Sequence, residues 1–134
     1  YHEDTNKFII IDIKTSTNGW NANAKKDKSK QHQLVLYKKF FAKQYNVPID
    51  NIEIEFFIVK RKLWESDDFV IKRVQQFQPP SGKTSVNRAT ASLKVFLDNC
   101  FTKDGFNDKE MIATINNNCK WCPFHKTHLC PATS

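Results

Sequence analysis

The sequence predicts an α/β fold, a mixed sheet core flanked by helices, and three stretches carry that expectation. Lys7 to Lys14 reads KFIIIDIK, a β-branched and aromatic run of strand length. Gln31 to Gln44 then sets Leu34, Tyr37, Phe41 and Tyr45 at helical spacing, with Leu36 and Phe40 widening the stripe. From Asn51 the run IEIEFFIVKRKL alternates and becomes continuously apolar, which suits a strand buried on both faces at its centre. Strand, helix and strand with a crossover of this length make a βαβ unit, whose two strands run parallel. At 134 residues and 40% apolar, the chain is expected to form one domain over residues 1–134.

The remaining elements follow in order. Glu3-Asp4-Thr5-Asn6 is rich in turn formers, so the first strand reads as the second arm of a hairpin. Thr15 to Ser29 has no apolar periodicity and is expected to be an exposed loop around Gly19 and Trp20. Pro48 marks the end of the first helix. Asp68 to Gln78 alternates as a further strand, broken by Gln78-Pro79-Pro80-Ser81-Gly82. A helix from about Val86 to Phe101 carries Ala89, Leu93, Phe96 and Leu97 on one side. Asn107 with Glu110 three residues on is a capping-box variant ahead of Met111, Ile112 and Ile115, and predicts a shorter helix. Residues 116–134 form a Cys/His-containing tail, expected to be a compact knot of the same domain.

Charge narrows the partners. Twenty-one basic against 14 acidic residues leave +7, the footprint of a polyanion binder, and nucleic acid leads. Lys25, Lys26, Lys28 and Lys30 crowd the expected loop, Lys38, Lys39 and Lys43 follow on the helix, and Lys60, Arg61 and Lys62 end a strand. Lys83 and Arg88 are candidate phosphate contacts, and Trp20 is a candidate stacking platform on DNA, although a loop tryptophan more often packs on its own domain. Ser81-Gly82-Lys83-Thr84-Ser85 mimics the end of a P-loop, but it lacks the first glycine, and Pro79-Pro80 removes backbone donors. No apolar run approaches the length of a membrane span, and no h-region marks secretion, so a cytoplasmic setting is expected, that of the host if the chain is phage-encoded.

The chemistry concentrates at Asp12 and Lys14. Two apart on a strand, they leave the same face, roughly 6.6 Å apart along the chain. A carboxylate holds a hard divalent cation, and an ammonium beside it orients a water and offsets charge on a phosphate. A solvated strand end that alternates acid and base has the same pattern; what distinguishes this one is Ile9-Ile10-Ile11, after which a charge is expensive unless compensated. If the hairpin turn centres near Thr5 and Asn6, the residue facing Asp12 lies just before Tyr1, where a second acid is expected. Gln33 and Tyr37, at i and i+4, share one helix face and point a polar pair at the strand end.

The segment IIIDIKTS followed by QLVLY resembles the RecB-type branch of the PD-(D/E)XK nuclease superfamily. That branch has a strand motif of acid-x-Lys followed by Thr or Ser, with Q-x-x-x-Y on the next helix; here these are Asp12, Lys14, Thr15, Gln33 and Tyr37. The resemblance covers residues 1 to 62 well and the tail in part. It implies a restriction-endonuclease-like fold, with Asp12 binding catalytic Mg²⁺ or Mn²⁺ and Lys14 positioning the attacking water. Gln33 would approach from the helix, and Tyr37 would support the DNA-facing side. The family's upstream metal Asp would fall one to three residues before Tyr1, so the domain is expected to lack its N-terminal part.

In the tail, Cys119 and Cys122 have the C-x-x-C spacing, and Cys130, His125 and His128 are further candidate ligands for zinc. The resemblance implies instead a 4Fe-4S cluster, for which Cys100 is the internal candidate as fourth ligand. A set of buried free cysteines around Trp121, Pro123 and Phe124 fits the same pattern. The expected function is a metal-dependent DNA nuclease, exonucleolytic, serving recombination, repair or phage DNA metabolism, on single- or double-stranded DNA and with a helicase or recombination protein as candidate partner. The alternative is a non-catalytic DNA-binding subunit or metal-knuckle module that retains the fold.

Overall fold

Nine residues of β-branched and aromatic character, Phe8–Ser16, form strand β1, and Ile52–Lys60 form β2. In the computed structural model of the chain, which describes residues 1–63, 72–106 and 115–130, these two strands pair in parallel over their whole length. The register sets Phe8 beside Ile52, Ile10 beside Ile54, Asp12 beside Phe56 and Lys14 beside Ile58. A short β3 (Val74–Phe77) pairs antiparallel on the far side of β2, with Phe77 beside Phe56, so the mixed sheet has the order β1-β2-β3. β3 lies within the strand expected over Asp68–Gln78; residues 64–71 are outside the described part.

By contacts the chain divides into two compact units, Tyr1–Ser92 and Leu93–Ser134. In the first, Leu34, Val35, Ile54, Phe56, Ile58 and Ala89 form the buried cluster, with Ile10, Trp20, Leu36, Phe77 and Val86 packed against it. β2 is not buried on both faces as its apolar run suggested. Ile52, Ile54, Phe56 and Ile58 are buried, whereas Glu53, Glu55, Phe57 and Val59 on the other face are half-buried, because the helices contributing to this cluster pack on one side of the sheet. The hairpin expectation reduces to a single bridge, His2 with Lys7, closing a 3-10 turn at Glu3–Thr5.

Helix α2 (Lys28–Tyr45) starts where Asp27 caps it, accepting from the Ser29 N–H at 3.0 Å, and stops at Asn46, which takes a left-handed conformation two residues before Pro48. Its buried residues are Gln31, Leu34, Val35 and Lys38, while Tyr37 and Tyr45 are exposed. The buried stripe is therefore turned from the one the aromatic spacing suggested. Aromatic rings do tie its C-terminal half to the start of β1: Phe8 lies 5.5 Å from Phe41, and Phe41 4.5 Å from Tyr45.

The segment expected to be a loop contains a short helix, α1 (Ala22–Lys26), because Asn21 caps it through a bond from the Ala24 N–H at 2.9 Å. Such a helix has no apolar stripe to read. α3 (Lys83–Cys100) begins three residues before the expected start and sets Ala89 in the core of the first unit. In the second unit Phe96 and Leu97 are exposed, and Phe96 makes an edge contact with Phe101 at 6.1 Å. The expected helix after Asn107 lies outside the described residues. From 115 to 130 the tail is a run of tight turns with a 3-10 turn at Cys119–Trp121. Trp121, Phe124 and Leu129 stand exposed there, so the packed knot is not seen. No described helix is long and apolar enough to cross a membrane.

Lys38 is buried in the first unit, with Ser81 Oγ accepting from its ammonium at 3.4 Å. Burial holds its pKa below the ordinary lysine value, against the opposing pull of Asp50 and Glu53. Between that lowered value and the ordinary one the unfolded chain binds more protons, so stability contributed through this group rises with pH. Thermal unfolding followed from about pH 7 to about pH 10 should show this rise in the wild type, and Lys38→Met should remove it while stabilising the protein near neutrality. Phe56→Ala, emptying the centre of the sheet, should cost about 3–5 kcal/mol in denaturant titration.

Candidate active site

Strand alternation puts Phe8, Ile10, Asp12, Lys14 and Ser16 on the face of β1 that turns toward the core. The first two are apolar and the next two charged, so the site forms where the hydrophobic layer meets solvent. The Asp12 side chain is 16% exposed, and its Oδ2 lies 2.9 Å from Lys14 Nζ. This is an ion pair whose angles do not make a hydrogen bond, and the buried Oδ2 has no hydrogen-bond partner. The Lys14 ammonium supplies the counter-charge, and the carboxylate keeps lone pairs with which to meet a further cation.

Helix α2 supplies the rest. Gln33 Oε1 accepts from Lys14 Nζ at 3.0 Å, and Gln33 Nε2 donates to Tyr37 Oη at 3.0 Å. One turn of helix separates Gln33 from Tyr37, so the glutamine amide is used at both ends, steered by the tyrosine and holding the lysine. The structure thus brings Asp12, Lys14, Gln33 and Tyr37 into one chain of contacts. The buried, unsatisfied oxygen of Asp12 fits a ligand to a divalent cation, and Asp12 is the one carboxylate that the described residues bring to Lys14.

The strand end continues into a turn built on Gly19, whose φ of +91° is left-handed; a Cβ there would lie 3.1 Å from both Gln75 Oε1 and Lys60 Cε. This turn directs Trp20 inward. Its ring lies 4.9 Å from that of Phe56, while its backbone N–H donates to Gln75 Oε1 at 2.8 Å and its carbonyl accepts from Gln75 Nε2 at 3.1 Å. Trp20 is therefore a core residue in this arrangement rather than a free stacking platform. Gln75 is the residue that fixes the loop, and nothing in the QQ of VQQF distinguished it.

The lysines of the loop serve different partners. Lys30 pairs with Asp27 at 3.2 Å and lies 5.3 Å over the Trp20 ring. Lys28 donates to Gln31 Oε1 at 3.2 Å, and Lys25 lies 5.6 Å over the ring of Phe77. Lys26 is exposed on the same short helix. Lys83 is exposed at the start of α3, and Arg88 lines a small crevice with Lys28, His32 and Ser85.

Cys100 at the end of α3 and Cys119, Cys122 and Cys130 in the tail form no disulfide, and Cys119 Sγ accepts from the Asn116 N–H at 3.3 Å. Among the described residues no three His, Cys, Asp or Glu side chains gather into a metal-holding group, His125 and His128 included. As placed, this donor set does not fit zinc or an iron–sulfur cluster. A hollow of about 690 Å³ in the second unit, bordered by Leu97, Phe101 and Lys103, contains none of the residues of the acid-lysine site.

The family model of the PD-(D/E)XK nuclease superfamily matches residues 2–131. No curated protein and no solved structure matches the chain. A mixed sheet with flanking helices is the architecture that superfamily requires, and an acid and a lysine two apart on its first long strand are what its strand motif names. The chain belongs to the PD-(D/E)XK nuclease superfamily.

Proposed function

We propose that the chain is a metal-dependent deoxyribonuclease of the RecB-like branch that hydrolyses DNA exonucleolytically, in recombination, repair or phage DNA metabolism. The observation that carries the reading is the buried Asp12 oxygen without a hydrogen bond, beside an ammonium that a helix glutamine holds in place. Asp12 would hold a Mg²⁺ or Mn²⁺ ion, which when bound would supply positive charge to the phosphate.

The chain's own residues do the rest. Lys14 lies where its ammonium orients a water toward phosphorus and offsets the negative charge that develops on the phosphate oxygens. Gln33 acts through Lys14, keeping the ammonium at the strand end rather than in solvent, and Tyr37 fixes the glutamine. The water oxygen bonds to phosphorus and gives up one proton to solvent, while the bond from phosphorus to a sugar oxygen breaks and that oxygen takes up one proton from solvent to leave as a hydroxyl. Support for the RecB-like branch comes from Gln33 meeting the strand's lysine from the next helix, with Tyr37 accepting from that glutamine.

A second reading has its own observation: Asp12 is the single carboxylate at the described site, and a non-catalytic DNA-binding subunit that retains the fold would have the same appearance.

Degradation of end-labelled DNA in Mn²⁺, with an EDTA control, separates the two. The nuclease reading expects cleavage that EDTA abolishes, a loss of about a hundredfold or more for Asp12→Ala and Lys14→Ala, and about tenfold for Gln33→Ala. DNA binding should persist in all three and weaken as salt rises. Salt-sensitive binding with no metal-dependent cleavage would establish the second reading.

A further inference from the structure

A second feature of the first unit lies away from the catalytic strand end. Lys25, Lys26 and Lys28 stand around an open cleft of about 380 Å³ whose floor is Ala22, Phe77 and Pro80. The lining is mostly apolar and the rim is cationic, a combination that fits a ligand with a flat uncharged part and an anionic part. The Phe77 ring is parallel to that of Phe56 at 6.3 Å on one side, and the ammonium of Lys25 lies over it at 5.6 Å. One face of the ring is therefore turned to the cleft, under a side chain flexible enough to move aside.

The rim is held in place from below. Gln31, only 6% exposed, accepts from Lys28 Nζ and donates to the carbonyl of Lys25, so one buried amide ties α1 to the first turn of α2. Pro80 closes the floor with a rigid ring that offers no N–H. Gln31 and Gln33 are two apart on α2, about 200° around the helix. The glutamine that serves the cleft and the one that serves Lys14 thus leave opposite sides of one helix.

The sheet relates the two places. Asp12, Phe56 and Phe77 are partners in one row across β1, β2 and β3, so Asp12 and Phe77 are two strand spacings apart, about 10 Å. Phe56, under the Trp20 ring, stands between them.

We propose that this cleft binds an unpaired nucleobase of single-stranded DNA, the base lying on Phe77 and Pro80 and the flanking phosphates on Lys25, Lys26 and Lys28. The proposal rests on the reading of the chain as a DNA nuclease and names the form of substrate that its surface recognises. A base inside a duplex has both faces covered by its neighbours and presents only an edge, so it cannot lie on the phenylalanine. An unstacked base can, and stacking of this kind is indifferent to sequence. The rim supplies the charge that a backbone needs.

The test is anisotropy of labelled ligands in EDTA, where cleavage plays no part. A deoxythymidine oligomer is compared with a sugar–phosphate oligomer of the same length that has no bases, and with a blunt duplex. The base-bearing strand should bind about tenfold more tightly than the abasic one, and more tightly than the duplex. Phe77→Leu, which keeps an apolar side chain against Phe56, should remove that preference, and Lys25→Gln with Lys26→Gln should weaken both strands and flatten their salt dependence. Equal affinity of the wild type for the base-bearing and abasic strands overturns the proposal and needs no variant to do so. Preference retained in a folded Phe77→Leu protein also overturns it. Cleavage without base preference rejects the cleft alone, whereas base preference without metal-dependent cleavage rejects the nuclease reading and leaves the cleft standing.

Discussion

The parallel pairing of β1 with β2 is the constraint on which the rest of the first unit depends, and its register is not the one that apolar burial alone would choose. Ile9, Ile11 and Ile13 face away from the core at 40, 54 and 66% exposure, while Asp12 and Lys14 face toward it. Turning the strand over would bury three isoleucines, each worth roughly 1.5–3 kcal/mol when fully enclosed, while exposing Phe8 and Ile10 together with both charges. The observed orientation is kept by Phe8, wedged between Tyr1 and Phe41, by Ile10 against the core cluster, and by the contact of Lys14 with Gln33. A strand that forgoes this burial to turn a carboxylate inward is arranged for chemistry rather than for stability.

Helix α2 turns that arrangement into a site. Leu34 and Val35 anchor it over the sheet, which leaves Gln33 and Tyr37 on the flank above β1 and Gln31 and Lys28 on the other. Its entry angle is set by Asp27, which caps the backbone through Ser29 and holds Lys30; the Ser29 hydrogen bond and the lysine keep the Asp27 carboxyl below its ordinary pKa. The stretch between β1 and α2 is thus an ordered connection. Gly19 turns it, Gln75 clamps it from β3, and α1 returns it to the helix.

What the sequence made legible follows from two periods. Asp12 and Lys14 meet because a strand repeats every two residues, and Gln33 meets Tyr37 because a helix returns after four; neither fact needs tertiary information. The parallel relation of β1 and β2 followed from the helical crossover between them. Where the reading went astray, tertiary packing made the choice. Apolar residues occur on several sides of α2, so the aromatics at Tyr37 and Tyr45 suggested a stripe, yet the helix settled with Gln31, Leu34, Val35 and Lys38 inward. For Trp20, which stands in a locally polar segment, the sequence left stacking on a base and packing on its own domain both open; a left-handed glycine directs it onto Phe56, a residue far away in sequence. The run Phe56 to Val59 suggested burial on both faces, since a continuous apolar stretch does not reveal that the described residues cover one side of the sheet more fully than the other.

Two charged side chains withdrawn from water show how burial separates structure from function in this fold. Lys38 accommodates its burial from within: Ser81 meets its ammonium, Asp50 and Glu53 favour its charge, and the cost of desolvation appears as a lowered pKa. Its partners all come from the protein's own side chains. Asp12 has a nearer counter-charge than Lys38, with an ammonium at 2.9 Å, and yet its buried oxygen accepts no hydrogen bond. The same ammonium is shared with Gln33, whose Oε1 accepts from it at 3.0 Å. The geometry therefore keeps the carboxylate and the ammonium close and incompletely satisfied, which is the condition in which a divalent cation and a phosphate oxygen complete what the protein's own groups do not.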